Sequence, residues 1–239
     1  MDDRPFVMFG PAHGAAVLAT VLGVLFMVRV NRPESAPHIR RAANAALAII
    51  LVLSVGMDPL LTWLRYRADP NEALDFLRKN SLPLHLCDIV SVVLAVALVT
   101  GRQRWVELGY LWGLAGTLQG VITPGLKFDW HSPEYYAFFA QHSGVQAAAL
   151  GLVVGAGIKP EPGAFRRVML WSWAYMAVAF GLNCLLNTNY GYINGKPENP
   201  SLIDHIGPWP WYLLSLQGVA FLFYGLLLLP FWLRRRKSR

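Results

Sequence analysis

Residues 209–233, WPWYLLSLQGVAFLFYGLLLLPFWL, carry no charged side chain and are followed at once by Arg234, Arg235, Arg236 and Lys237. A helix rises about 1.5 Å per residue, so a run of this length crosses a hydrocarbon core of roughly 30 Å. The basic cluster that stops it is the signal that holds a helix end in the cytoplasm. The run contains no Lys, which excludes a retinal-type Schiff base, and no span carries the repeated Arg of a voltage sensor.

Six further apolar stretches lie upstream, near 12–30, 42–63, 83–100, 105–123, 135–157 and 167–187. Prolines mark their limits: Pro33 and Pro37 follow the first, Pro83 opens the third, Pro124 closes the fourth, and Pro160 and Pro162 follow the fifth. The whole chain of 239 residues is 55% hydrophobic and only 15% charged, a composition that suits lipid better than water. The expectation is an all-α, polytopic membrane helix bundle with about seven spans, forming one domain over 1–239. No small-residue cleavage site follows the first apolar stretch, which reads as a retained anchor. No internal repeat stands out, so an inverted-repeat transporter has no direct support.

An odd number of spans places the loops on alternate sides. With the C-terminus cytoplasmic and the N-terminus outside, Arg29, Arg32, Arg40, Arg41, Arg102, Arg104, Lys159, Arg166, Arg167 and the tail with Arg239 lie inside. Arg4, Arg65, Arg67, Arg78, Lys79, Lys127 and Lys196 lie outside, so the 21 basic residues divide fourteen to seven in favour of the cytoplasm. This reads as a multi-pass protein of the cytoplasmic membrane. The formal charge of +7 sits at the ends of apolar runs and not along a binding face, so no nucleic-acid partner is expected.

The outer loops, 64–82, 124–134 and 188–208, are the longer ones. Polar side chains also favour the outer span ends: His13, Asp58, His85, Cys87, Asp88, Gln119, Thr123, Gln141, His142, Asn183, Cys184, Asn187, Thr188, Asn189 and Tyr190. The inner halves read as apolar apart from Ser, Thr and terminal Arg. Intramembrane polar groups are costly and mark cavities or reactions, so a shared outward-opening polar site is expected.

Pro83 starts the third span and sets His85, Cys87 and Asp88 in its first two turns. His85 and Asp88, three residues apart, share a face; Cys87 is turned about 200° from His85 and needs a base from another helix. His142 is the best placed. A thiol near a helix N-terminus is biased toward the nucleophilic thiolate. Blander roles remain for each: a buried Cys is commonly a small hydrophobe, Cys87 and Cys184 could pair as a disulfide, and His142 could bridge helices. His13, His131 and His205 read as solvated groups. The sequence lacks paired His at i, i+4, Cys-x-x-Cys, Gly-x-Ser-x-Gly and Gly-rich phosphate loops, so no metal and no nucleotide cofactor is expected. The segment Ile206 to Tyr212 reads as a rigid aromatic interfacial belt.

Four motifs carry a resemblance. Leu-Pro-Leu-His-Leu-Cys-Asp at 82–88, Trp-Gly-Leu-Ala-Gly-Thr-Leu-Gln at 112–119, Asn-Thr-Asn-Tyr-Gly-Tyr at 187–192 and Gly-Pro-Trp-Pro-Trp-Tyr at 207–212 resemble the bacterial YwaF-like integral membrane family. That family is similar to the eukaryotic transmembrane protein 164 family, which is associated with acyl transfer between phospholipids through a catalytic Cys. The resemblance implies that Cys87 is the nucleophile and His142 the helix-borne histidine, although Ser143 separates His142 from Gly144 where the family shows His-Gly.

The leading expectation is a lipid acyltransferase, or a lipase if water is the acceptor. Cys87 attacks the ester, His142 moves the proton, Asn187 or Asn189 serves the oxyanion, and His85, Asp88, Gln119, Asn183 and Tyr190 support the site. The partners are then membrane lipids. The alternative is a transporter or receptor binding a solute in an outward polar cavity. A structural role is a third, since Gly109, Gly113 and Gly116 on one surface leave room for a homo-oligomer or another membrane protein.

Overall fold

The computed structural model describes residues 4–197 and 202–237; Arg239, counted with the tail above, lies outside the described residues. The chain forms α1 (Pro11–Val30), α2 (Pro37–Tyr66), α3 (Pro70–Phe76), α4 (Leu86–Thr100), α5 (Gln103–Trp112), α6 (Gln119–Ile122), α7 (Pro133–Leu150), α8 (Ala164–Leu186) and α9 (Tyr212–Lys237). Wider π-helical turns continue α3 over Leu77–Ser81, join α5 to α6 over Gly113–Thr117, and extend α7 over Gly151–Gly155. No strand occurs among the described residues, so the all-α bundle stands.

Proline at the first helical position starts α1, α2, α3 and α7, where its missing N–H costs nothing and its fixed φ suits the turn. Pro37 therefore opens the second helix five residues before the expected boundary, where the sequence reading had made it a breaker after the first.

α1, α2, α7, α8 and α9 are long and apolar enough to cross a membrane, and the pair α3 to α4, bent by 68°, makes a sixth candidate. The expected fourth span, 105–123, is not one helix but α5, a π turn and α6. It is also the least apolar, with Glu107, Gly109, Gly113, Gly116 and Gln119, because its neighbours shield it: every residue from Val106 to Trp112 is buried.

α2 packs on α4 and α7, α1 on α7, and α4 on α5, around a core in which Leu51, Val90, Leu94, Leu111 and Val145 have no exposed surface. Gly109, Gly113 and Gly116 let the fourth segment approach this core; a Cβ on them would meet Leu94 at 2.4 Å, Val145 at 3.0 Å and Leu86 at 2.7 Å. The glycine surface is thus occupied by α4 and α7 of the same chain. α8 and α9 flank the core and show most of their surface outward.

Contacts sort the connections into two ends. At one end, Phe6 N–H donates to the Lys127 carbonyl and Asp129 N–H to the Arg4 carbonyl, Arg65 pairs with Glu134, and Tyr190 bonds to the backbone of Leu82 and Arg78. At the other, Gln103 donates to the Lys159 carbonyl and Arg235 to that of Pro160. This second end corrects the expectation of an apolar inner half. Glu107, its side chain 2% exposed, forms an ion pair with Arg167, and the amides of Asn31 and Asn44 bond reciprocally between α1 and α2. Arg167 belongs to the first turn of α8 and faces inward to Glu107, which is why a charged pair persists at that depth.

Candidate functional site

The bend between the π turn at Leu77–Ser81 and α4 creates the site, because it exposes a helix N-terminus inside the bundle. His85 is the N-cap residue. Asp88, at the third position, accepts the His85 backbone N–H through Oδ2 at 3.0 Å, closing one half of a capping box. Its other oxygen accepts Gln141 Nε2 of α7 at 2.8 Å. Cys87 Sγ lies 3.9 Å from that same Oδ1, so the carboxylate orients both the helix start and the thiol. Asp58 of α2 lies within electrostatic reach of Cys87.

Asp88 points to α7 and Cys87 is about 100° further round α4, toward α8. The groups near the thiol on that side are Tyr175 of α8 and Tyr192 of the following loop. Tyr175 OH donates to the Leu84 carbonyl at 3.0 Å. Burial, reinforced by nearby Cys87, raises the pKa of the Tyr192 phenol, which stays protonated as a donor. Neither tyrosine was singled out from the sequence. Nothing in the sequence separates Tyr175 from the other polar side chains of α8, and Tyr192 is marked only as the last residue of the 187–192 motif.

His142 sits on α7 one residue beyond Gln141. Its Nδ1 is 2.9 Å from the Phe138 carbonyl, which can only accept, so the proton is on Nδ1 and Nε2 keeps its lone pair. The ring stacks on Phe138 at 4.0 Å and lies over Gly120, where a Cβ would come within 2.5 Å of Nε2. His142 and His85 are in electrostatic reach of one another, but no hydrogen bond joins His142 to Cys87. Gln119, beside Gly120, donates to Thr123 Oγ1 at 3.1 Å.

The 187–195 loop closes over His85. Asn183, 1% exposed, is its hub: the amide donates to the Tyr190 carbonyl and Asn194 Oδ1, and accepts from Tyr190 N–H and Thr188 Oγ1. Asn189 likewise donates to the Gly195 carbonyl and accepts Asn194 N–H. Both amides are engaged in loop structure. Asn187 ends α8 in the left-handed region at φ 52°, which asparagine tolerates. Tyr190, fully buried, accepts Leu82 N–H and donates to the Arg78 carbonyl, and its ring meets His85 edge-on at 4.9 Å. Gly191 N–H reaches His85 Nδ1 at 3.4 Å; with φ 67° and Tyr175 OH only 2.7 Å from where a Cβ would be, this position requires glycine.

Both cysteines are free; Cys184 is exposed and Cys87 half-buried. Among the described residues no group of three or more His, Cys, Asp or Glu is arranged to hold a metal. His13, expected to be solvated, is instead 2% exposed: it accepts Phe9 N–H and bonds the Val121 carbonyl at 2.8 Å, pinning α1 to the end of α6. Beside the site, an apolar cleft with room for about 60 Å³ of water-sized groups runs between α8 and the start of α4. Leu84, Ile89, Tyr175, Val178, Ala179 and Leu182 line it, with Tyr190 at one side.

A family model described as the TMEM164 family matches residues 8–228, which include every site residue discussed. No curated protein and no solved structure matches the chain.

Proposed function

We propose, on the premise that this chain belongs to the TMEM164 family, that it is a membrane acyltransferase in which Cys87 carries the acyl group of a lipid ester. The observation that carries this reading is the Cys87 thiol in the first turn of α4, set beside a carboxylate that Gln141 and the His85 N–H already hold in place. A carboxylate beside sulfur disfavours a resident thiolate, so the thiol gives up its proton to a base only as it attacks.

In the first half-reaction sulfur attacks the ester carbonyl, a C–S bond forms and the ester C–O bond breaks. The thiol proton leaves with the departing alcohol, so ester and thiol become thioester and alcohol. In the second half, the hydroxyl of a lysolipid attacks the thioester, a new C–O bond forms, C–S breaks and the proton returns to sulfur. His142 Nε2, with its lone pair available, is the base that passes these protons. The Tyr192 phenol, within electrostatic reach of the thiol, takes the oxyanion role, because the Asn189 amide and the Gly191 N–H already have partners.

The reading places the site at the outer leaflet of the cytoplasmic membrane, with the N-terminus outside and the C-terminus inside, by the fourteen to seven division of basic residues. A reporter fused after Arg239 is then cytoplasmic and one at Lys196 is not. The decisive experiment compares the lipid species of membranes containing the native chain with those containing Cys87→Ala. Acyl remodelling that survives the substitution removes Cys87 as the nucleophile.

A further inference from the structure

We infer that the apolar cleft between α8 and the start of α4 is the subsite for the first few methylenes of the transferred acyl chain, and that Tyr175, Val178, Ala179 and Leu182 determine which chains are accepted. This rests on the acyltransferase reading and specifies where its substrate lies.

The occupant follows from the polarity of the cleft and of its end. Its exposed lining is wholly apolar, and Tyr175, which forms part of its wall, lies within electrostatic reach of the thiol. An acyl ester has the matching order: a carbonyl at the nucleophile, then an unbranched apolar chain. Val178, 62% exposed, continues the cleft into the outward surface of α8, so a chain can enter sideways from lipid.

Size limits what the cleft reads. The cleft is small, so it takes only the first few methylenes of a chain. The remainder of a long chain stays in lipid along α8. Selectivity therefore concerns the carbons nearest the carbonyl: branching there is rejected, whereas the length of the part that stays in lipid is not sensed. Ala179, 4% exposed, is the floor, and a larger side chain there fills the space.

The test uses the full chain in lipid vesicles and two alkyl chloromethyl ketones, one with a methyl and one with an octyl tail. Each alkylates a thiol: C–S forms, C–Cl breaks, chloride leaves and the thiol proton goes to solvent. Labelling at Cys87 is divided by labelling at exposed Cys184 in the same vesicles, which cancels the different partitioning of the probes. Lipid is already as apolar as the cleft, so the octyl preference at Cys87 reflects packing and orientation, about tenfold, and not transfer from water. Ala179→Leu, and Val178→Phe at its exposed position, should reduce that preference to less than about twofold while leaving the methyl-tail ratio unchanged, which also certifies the fold. An octyl preference that persists in both variants, or is lacking in the native chain, overturns the subsite. If neither ketone labels Cys87 in the native chain, the acyltransferase reading itself falls, a separate outcome.

Discussion

Two polar clusters sit at opposite ends of the same bundle, and they are built differently. At the Glu107 end, Oε1 accepts Glu161 N–H and Arg167, Oε2 accepts Arg167 twice, and Arg167 also donates to the Pro162 carbonyl. The group is closed, and it fastens the start of α5 to the start of α8. At the Cys87 end, Asp88 is held on both oxygens, yet the thiol has one long contact and His142 Nε2 makes no hydrogen bond. Charge at membrane depth is therefore no sufficient mark of function. The Glu107 cluster uses up its donors and acceptors, whereas the Cys87 end retains an imidazole lone pair and a thiol near an apolar cleft.

The sharpest way to break this contrast is at Glu107. Glu107→Ala strands Arg167 beside a cavity, and a loss of about 3–5 kcal/mol of stability is expected, read as a fall in unfolding temperature in detergent. Cys87 alkylation per folded molecule should not change. Equal damage to both would mean that the two ends are one coupled system.

His142→Ala should do the reverse. Alkylation of Cys87 slows by roughly 100-fold to 10,000-fold, or about 3–5 kcal/mol of barrier, if Nε2 assists thiolate formation. The rate must be taken per folded molecule, because a helix-bridging histidine would lower the yield of folded protein and leave that rate alone.

A smaller effect is expected from Asp88→Asn. The amide can still accept from one partner but cannot accept from both the His85 N–H and Gln141, so about 1–2 kcal/mol of stability goes with one hydrogen bond. Smallest is Cys184→Ser, an exposed change expected within about 0.5 kcal/mol and without effect on acyl transfer. A large effect there would give Cys184 a role that its exposed position does not suggest.

Hydropathy and proline made most of the fold legible, since the lipid-facing helices must be apolar along their whole length. They failed where lipid is absent. The 103–122 segment is covered by protein, so it needs neither continuous apolarity nor regular turns, and its π turn has no sequence mark beyond glycine. Of the candidate site, location was legible: His85, Cys87, Asp88 and His142 stand at one end of the bundle. Their pairing was not legible. Spacing along α4 separates Cys87 from His85, but which neighbouring helix each faces depends on how the bundle packs, and packing set Tyr175 beside the thiol. Asn187 and Asn189 are attractive as oxyanion donors because sequence shows an amide without showing that Asn189 already donates to the Gly195 carbonyl or that Asn187 ends α8.

The π turn at Gly113–Thr117 bears on how this chain tolerates change in length. Such a turn holds one residue more than an α turn, and each residue rotates a helix by about 100°. Deleting Ala115 would let α5 run straight into α6 with no lost hydrogen bonds, a change that looks harmless on hydropathy. The wider turn is what absorbs the extra residue, so the deletion would leave Gly120 beneath His142 and the faces of α6 where they are. A single codon lost from this turn should therefore be tolerated, whereas one lost within the regular turns of α5 should rotate Gly120 away from the imidazole.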